Sequence, residues 1–454
     1  MLGIKNQGAG TLRVMELFAG VGGFRQGLEQ VRTPAQQAAF KVVWANQYEP
    51  ASKKQWAAEV YRARWGGQDL VNEDIFEVLQ EPAQMASLDA LCPDVLVGGF
   101  PCQDYSVAKP LSHSQGLQGD KGVMWWAVSR MLQARRAAGA PLKYLVLENV
   151  DRLLSSPATC PGQDFARILV SLQQEGYAVE WRVVNAADYG FAQKRRRLFM
   201  VAAHESTPLY TRMAACAGDA QQGSLPWLLS AGVLAKALPA RLKDGGKLQV
   251  FSLPVGDWAA MSYVPPKRGS GFASAGVCAA GLVCTAPLVA QKLTDCTEFT
   301  GLAQALTLGD VVRETGEAVA PAYFLADAAL PKWQRLKAAK SIARVSAHGH
   351  AYHFSEGAMA FPDRLDAPAR TVITSEGGAG ASRTTHVVRH ADGRLRRLVP
   401  EELEVLNGFA RGFTDIAGIT PAKRGFLKRG FLMGNALVTR LVTVIGRALW
   451  QALT

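Results

Sequence analysis

The chain has 454 residues, 48% of them hydrophobic and 19% charged, with a formal net charge of +12. That length allows a large core and two domains, and the excess of Lys and Arg suggests a polyanionic partner, since such side chains release counterions when they neutralise phosphates. The seven cysteines form no CxxC pair and match no His spacing, so neither a zinc site nor a disulfide framework is indicated, and with no charged-then-apolar leader a reducing cytoplasm and no membrane are expected.

Leu12–Phe18 reads as a strand, followed by the turn Glu16-Leu17-Phe18-Ala19-Gly20-Val21-Gly22-Gly23-Phe24 and a helix through about Gln30. Glycines in a first βα turn let the backbone approach a ligand, although many such turns carry them only to pack. Lys41–Asn46 is the next strand, with an amphipathic helix over Ser52–Arg64. Glu49 follows that strand and Asp74 stands in Asn72-Glu73-Asp74-Ile75. A carboxylate after the second strand typically holds ribose hydroxyls, and one after the third can accept from an adenine amino group. The set suits an adenosine ligand without requiring phosphates.

Asp94–Gly98 is a buried strand leading into Gly98-Gly99-Phe100-Pro101-Cys102-Gln103-Asp104-Tyr105-Ser106. A thiol there sits on a tight loop at a strand's carboxyl end, where open α/β sheets carry their chemistry, although most free cysteines are small buried hydrophobes. Tyr144–Leu147 is a further strand, ending in Glu148 of Leu145-Val146-Leu147-Glu148-Asn149-Val150. A carboxylate at that edge is poorly solvated, which favours its proton-donating form; an exposed strand-end glutamate reads the same way. Val179–Asn185 and Arg197–Ala202 complete the set, the latter preceded by Gln193-Lys194-Arg195-Arg196-Arg197. Alternation along a strand predicts Arg195 and Arg197 on one face, as an anion or carbonyl clamp, where a basic run is more often a solvated face. The whole pattern predicts an α/β fold with a doubly wound, mostly parallel sheet.

After about His204 the regularity fades, and an irregular domain is expected to about Asp363. The uncharged run Gly269–Gln291 is too rich in Gly, Ala and Ser for a membrane span and reads as irregular structure within it. From Arg370 regularity returns, ending in an apolar helix over Ala436–Leu453 that looks built to dock on a core; Gly434-Asn435 before it also reads as a simple helix cap.

In order, the chain carries LFAGVGGF, GGFPCQDYS, LENV, QKRRR and Gly434-Asn435-Ala436-Leu437-Val438. From about Met15 to its end it resembles the cytosine-C5 DNA methyltransferases. Glu16 stands where that family often has Asp, and Gln47-Tyr48-Glu49 offers one, offset, carboxylate. The resemblance implies a Rossmann-like, S-adenosylmethionine-dependent fold. It makes Cys102 the nucleophile that attacks C6 of a flipped-out cytosine, Glu148 the group that protonates or hydrogen-bonds N3, and Arg195 and Arg197 the holders of the base oxygen. S-adenosyl-L-methionine is then expected on Phe18, Ala19, Gly20, Gly22, Gly23, Glu49, Asp74 and Ile75, with Asn435 and Ala436 closing the pocket. Gln103, Ser106, Gln193 and Arg383 are expected to contact substrate or DNA.

Three domains are implied: a catalytic and cofactor-binding domain over 1–205, a target-recognition domain over 206–420, and a C-terminal segment, 421–454, returning to the first. Lys109–Gly122 reads as a lid, and Lys267-Arg268-Gly269, His348-Gly349-His350 and Ser375–Arg383 as DNA contacts, although mobile surface loops look alike and histidines more often pack. The partner implied is double-stranded DNA, approached by a monomer, with a cognate restriction endonuclease left open. RNA cytosine methylation by the same fold, a catalytically silent DNA-binding repressor, and a nicotinamide-dependent oxidoreductase are the rival readings.

Overall fold

Apolar runs bounded by turn residues produce the first strands, and their alternation divides them between two faces. In the computed structural model, which describes residues 10–100, 124–219, 222–254, 256, 263–264, 269, 271–316, 319–345, 349–419 and 425–453, these are β1 (Leu12–Leu17), β2 (Phe40–Asn46), β3 (Leu70–Val71), β4 (Val95–Gly99) and β5 (Tyr144–Asn149). They pair in parallel in the order β3-β2-β1-β4-β5. β6 (Tyr177–Asn185) and β7 (Arg196–His204) follow, with β7 inserted antiparallel between β5 and β6.

Helices cover both faces. Met15 and Leu17 of β1 join a core with residues of α5 (Met124–Ala137) and α6 (Gln163–Gln174), counting α1 (Gly23–Leu28), α2 (Trp56–Trp65), α3 (Ile75–Gln80) and α4 (Pro82–Ala90) before them. Glu16, alternating with those residues, faces α1, whose Arg25 N–H donates to its carboxylate at 3.4 Å. On that side the Thr439–Leu453 helix packs on α1: Thr443 Oγ1 donates to the Gly27 carbonyl at 2.9 Å, and a Cβ at Gly27 would lie 2.5 Å from the Thr439 carbonyl oxygen. The final helix thus starts at Thr439, not at Ala436, and a separate helix, Gly425–Asn435, precedes it. The run Gly425–Leu453 is long and apolar enough to span a membrane by composition, yet 78% of its most apolar window is buried inside the protein.

The expectation of irregular structure over Gly269–Gln291 fails. After β8 (Ala240–Leu242) and β9 (Gln249–Ser252), this run forms β10 (Ala275–Ala279), β11 (Leu282–Ala286) and β12 (Leu288–Ala290). β10 pairs antiparallel with β6, and the sheet continues β6-β10-β11-β9, making ten strands among the described residues. The small residues have a packing reason: Gly276 lies opposite Trp181, and a Cβ there would stand 2.2 Å from the indole ring.

Compactness divides the chain into two units. One takes in 1–189, 196–294 and 439–454, and holds the large sheet; the other takes in 190–195 and 295–438. The second contains two small antiparallel sheets, β13 (Lys340–Val345) with β14 (Ala351–Glu356) and β15 (Val387–Arg389) with β16 (Leu395–Arg397). Its interior is unusually ionic. Arg396 and Glu402 pair at 2.7 Å with neither side chain exposed, and Glu404 accepts from the Phe413 and Thr414 amides and from Arg429 at 2.8–3.2 Å.

Candidate active site

Parallel pairing brings the carboxyl ends of β1 to β5 to one edge of the sheet, and the antiparallel β7 starts at that same edge. The first turn opens from β1. Phe18 holds a left-handed backbone (φ 54°), as do Gly20 (φ 57°) and Gly22 (φ 80°). Only glycine takes this conformation without steric cost, so Phe18 stores local strain where the chain leaves the strand. Ala19 N–H donates to the Asn46 carbonyl at 3.0 Å, and Gly20 N–H to Gln47 Oε1 at 2.6 Å. Gln47, which pattern reasoning passed over in favour of its carboxylate neighbour, is therefore the side chain that holds this turn. Asn72 in turn donates to the Gln47 carbonyl.

Under the turn lies a buried charged cluster. Glu16 accepts from Tyr61 Oη at 3.3 Å, and Arg25 donates to Tyr61 Oη and meets Asp69, both at 3.2 Å. Burial raises the Glu16 carboxyl to about 8, against the lowering effect of the Arg25 amide, the Arg25 charge and the Tyr61 hydroxyl. Arg25 also lies over the Tyr61 and Trp65 rings.

Glu49 is half-buried just beyond β2, its amide accepted by Gln55 Oε1 at 2.8 Å. Asp74 caps α3 by accepting from Phe76 N–H at 2.8 Å, and Ile75 is buried. Turn glycines, carboxylates after β2 and β3 and the apolar Ile75 next to Asp74 fit an adenosine-bearing ligand.

β4 ends at Gly99, and Phe100 is anchored by Asn149 Nδ2, which donates to its carbonyl at 3.1 Å. Asn149 is thus a positioning residue that its motif gave no separate reason to select. Cys102, Gln103, Ser106 and the Lys109–Gly122 segment lie outside the described residues, as do Lys267, Arg268 and His348. Beside the end of β4, Glu148 meets Arg197 as an ion pair at 2.8 Å. Glu148 pairs across β4 with Gly99, and a Cβ at Gly99 would come to 3.1 Å from Glu148 Oε2, so the glycine leaves the carboxylate its room.

The other polar candidates are engaged elsewhere. Arg195 does not share a strand face with Arg197, because β7 begins at Arg196. Its guanidinium is buried and donates to the Val372 and Gly434 carbonyls, each at 3.1 Å. It therefore ties backbone together and is not disposed as half of a same-face clamp. Gln193 is fully buried, donating to the Leu406 carbonyl and Asn407 Oδ1 at 2.9 Å and accepting from Val372 N–H at 3.0 Å, which removes it as a DNA contact. Arg383 is likewise committed to carbonyls, of Leu336 and Ala338 at 2.8 Å and Gly357 at 2.5 Å. Asn435 closes the Gly425–Asn435 helix, and Ala436 N–H donates to the Leu432 carbonyl at 3.1 Å.

The family described as C-5 cytosine-specific DNA methylase matches residues 12–224. The chain is 38% identical to Type II methyltransferase M.Sau3AI of Staphylococcus aureus over 437 residues, covering 96% of this chain and 94% of that protein. It is also 32% identical to Type II methylase M.HgiEI of Herpetosiphon aurantiacus, over 43% of this chain and 38% of the relative. In fold it is similar to the Entamoeba histolytica methyltransferase EhMeth, with a TM-score of 0.56 at 13% identity, over 98% of this chain and all of that one. The mostly parallel, methyltransferase-type α/β architecture is thereby borne out.

Proposed function

The chain belongs to the C-5 cytosine-specific DNA methylases, and from that premise we propose that it modifies a flipped-out cytosine within one short DNA sequence through a covalent Cys102–C6 adduct. It is a DNA cytosine-5 methyltransferase of the Type II restriction-modification kind. The observation that carries the finer reading is the pairing of Glu148 with Arg197 at 2.8 Å, Glu148 standing on β5 beside β4, the strand that precedes Cys102 in the chain.

Cys102, as its thiolate, adds to C6 of the base. Glu148 donates a proton or hydrogen bond to N3, drawing electron density from C6, while Arg197 orients Glu148 and holds the base oxygen. The adduct makes C5 an enamine carbon. When bound, S-adenosyl-L-methionine supplies the methyl group. Loss of the C5 proton and β-elimination then restore the free cysteine. Phe18, Ala19, Gly20, Gly22 and Gly23 would hold the cofactor by the turn, Glu49 its ribose, and Asp74 and Ile75 its adenine; Asn435 and Ala436 are assigned to it by family resemblance. C5 and C6 are inaccessible in a stacked duplex, which is why extrusion of the base belongs to the reading.

Catalysis is assigned to the unit with the large sheet, and sequence recognition to the unit of 190–195 and 295–438, which takes in the part of the expected 206–420 domain beyond Thr294. The same reading has the protein working as a cytoplasmic monomer on double-stranded DNA, with room for an endonuclease of the same specificity. The test is methylation-sensitive sequencing of plasmid DNA from cells expressing the wild type or Cys102→Ser. The expected result is 5-methylcytosine at one short motif with the first and none with the second. Absence of modification with both proteins, each soluble, would overturn the reading.

A further inference from the structure

β13 and β14 form a two-stranded ribbon in which, of twelve residues, none is buried and only Phe354 and Glu356 are partly covered. The other two-stranded sheets, β8 with β12 and β15 with β16, each bury strand residues. A ribbon with no covered face is marginal in water, so it persists only if its root is held. The root is held twice. Arg383 donates to the Leu336 and Ala338 carbonyls ahead of β13 and to the Gly357 carbonyl behind β14, and stands 3.2 Å from Glu356. Lys337, buried, donates to the Thr385 carbonyl at 2.6 Å, while its own carbonyl accepts from Met359 N–H at 2.8 Å. The fold thus fixes the base of the ribbon and leaves its blade bare.

Charge on the ribbon is sparse: Glu356, at its root, pairs with Lys340 at 2.7 Å, and Arg344 stands beyond that pair on the same face. Cross-strand register puts Ile342, Arg344, Tyr352 and Phe354 on one face, with the Arg344 guanidinium 4.2 Å from the Phe354 ring centroid. Stacking of this kind keeps the planar fork extended and pre-organised. The opposite face carries Ser341, Ala343, Ala351, His353, Ser355 and the exposed Val345, and there Ser341 Oγ lies 3.2 Å from both His353 Nδ1 and Ser355 Oγ. Ile342 and Tyr352 remain 43% and 46% exposed, an apolar surface that a permanently solvated ribbon has no reason to keep.

We propose that this ribbon enters the major groove of duplex DNA and is the base-reading element of the recognition unit, with Arg344 pairing to a base edge. The inference rests on the methyltransferase reading. A major groove admits a two-stranded ribbon, the ribbon's acid, Glu356, is held at the root by Lys340 and Arg383 and so opposes the flanking phosphates little, and a stacked arginine is suited to bidentate pairing.

The experiment compares wild type, Arg344→Ala and Arg383→Ala, the last loosening the root while leaving Arg344 and its stacking partner Phe354 in place. Initial methylation rates are measured on a duplex with the wild-type motif and on single-base variants of it, with binding at two salt concentrations and S-adenosyl-L-methionine affinity by calorimetry. Arg344→Ala is expected to lose about tenfold or more of the preference for the wild-type motif at one base pair, with cofactor affinity unchanged, and Arg383→Ala to lose preference more broadly. Unchanged preference in Arg344→Ala overturns the proposal. So does weakening that is uniform across sequences with a shallower salt slope, which marks a phosphate contact, or a wild-type dimer that Arg344→Ala dissociates, which marks the blade as a subunit interface. A wild type that makes no 5-methylcytosine on any duplex fails the methyltransferase reading itself, a separate result.

Discussion

Arg197 and Glu148 stand on strands that run in opposite directions, and their side chains meet at 2.8 Å with 17% and 12% of their surfaces exposed. Neither strand alone presents this pair; the insertion of β7 beside β5 creates it. Glu148→Gln keeps the shape and removes the proton, so kcat is expected to fall by about 10²–10⁴-fold with little change in melting temperature. Arg197→Ala is expected to fall comparably, because it removes the group that orients the carboxylate. If the two act as a unit, the double variant loses less than the product of the single losses, measured as initial methyl incorporation on one duplex. A multiplicative double variant would mean independent roles.

Gly20 and Gly22 share a left-handed backbone but differ in surroundings. A Cβ at Gly20 meets nothing within 4 Å, whereas at Gly22 it would stand 2.3 Å from the Trp65 ring. Gly20→Ala therefore costs backbone strain alone, on the order of 1 kcal/mol. Gly22→Ala adds a collision with an indole and must displace the turn. Cofactor titration is expected to show a modest loss for Gly20→Ala and near-complete loss for Gly22→Ala, with a lower melting temperature for the second. Equal losses would place the constraint in the turn itself and not in its packing on α2.

Much of the sheet was legible because β1, β2, β4, β5, β6 and β7 are apolar runs separated by turn residues and helical patterns. β10 was not, since a strand packed under Trp181 needs Gly276 and offers no large apolar residues to recognise. At the site, the carboxylate after each strand was readable from position. What escaped was the destination of the polar groups. Residue type states how many hydrogen bonds Gln193, Arg195 and Arg383 can make, but their partners are backbone carbonyls more than twenty residues away, which leave no mark in side-chain pattern.

Glu16 ties stability to pH. Its carboxyl is raised from 4.5 to about 8 in the folded chain, chiefly by burial. Between those values the folded state keeps a proton that the unfolded state has released, so stability falls as pH rises through the window and levels off above about 8. Glu16→Gln removes the titration. Its melting temperature relative to wild type is therefore expected to be lowest near pH 4.5 and to climb toward pH 8. Parallel profiles for the two proteins would mean that Glu16 is ionised throughout, held by Arg25 and Tyr61.

Gln193 and Arg195 were expected at the substrate and instead bind the second unit's own backbone. Removing the Gln193 side chain leaves the Val372 amide, the Leu406 carbonyl and the Asn407 side chain each short of a partner, in a region where Gln193 itself is fully buried. Each unsatisfied buried group costs about 1–3 kcal/mol. Arg195→Ala similarly frees the Val372 and Gly434 carbonyls. Both variants are expected to lower the denaturant midpoint and to open 295–438 to limited proteolysis. A direct phosphate contact predicts a different signature: a salt dependence of DNA affinity reduced by about one unit of slope, with stability intact. Measuring both quantities on the same proteins separates the two. Loss of stability with an unchanged slope is the expected result, because Gln193 and Arg195 both donate to buried carbonyls of their own unit, and those bonds would have to break before either side chain reached a phosphate.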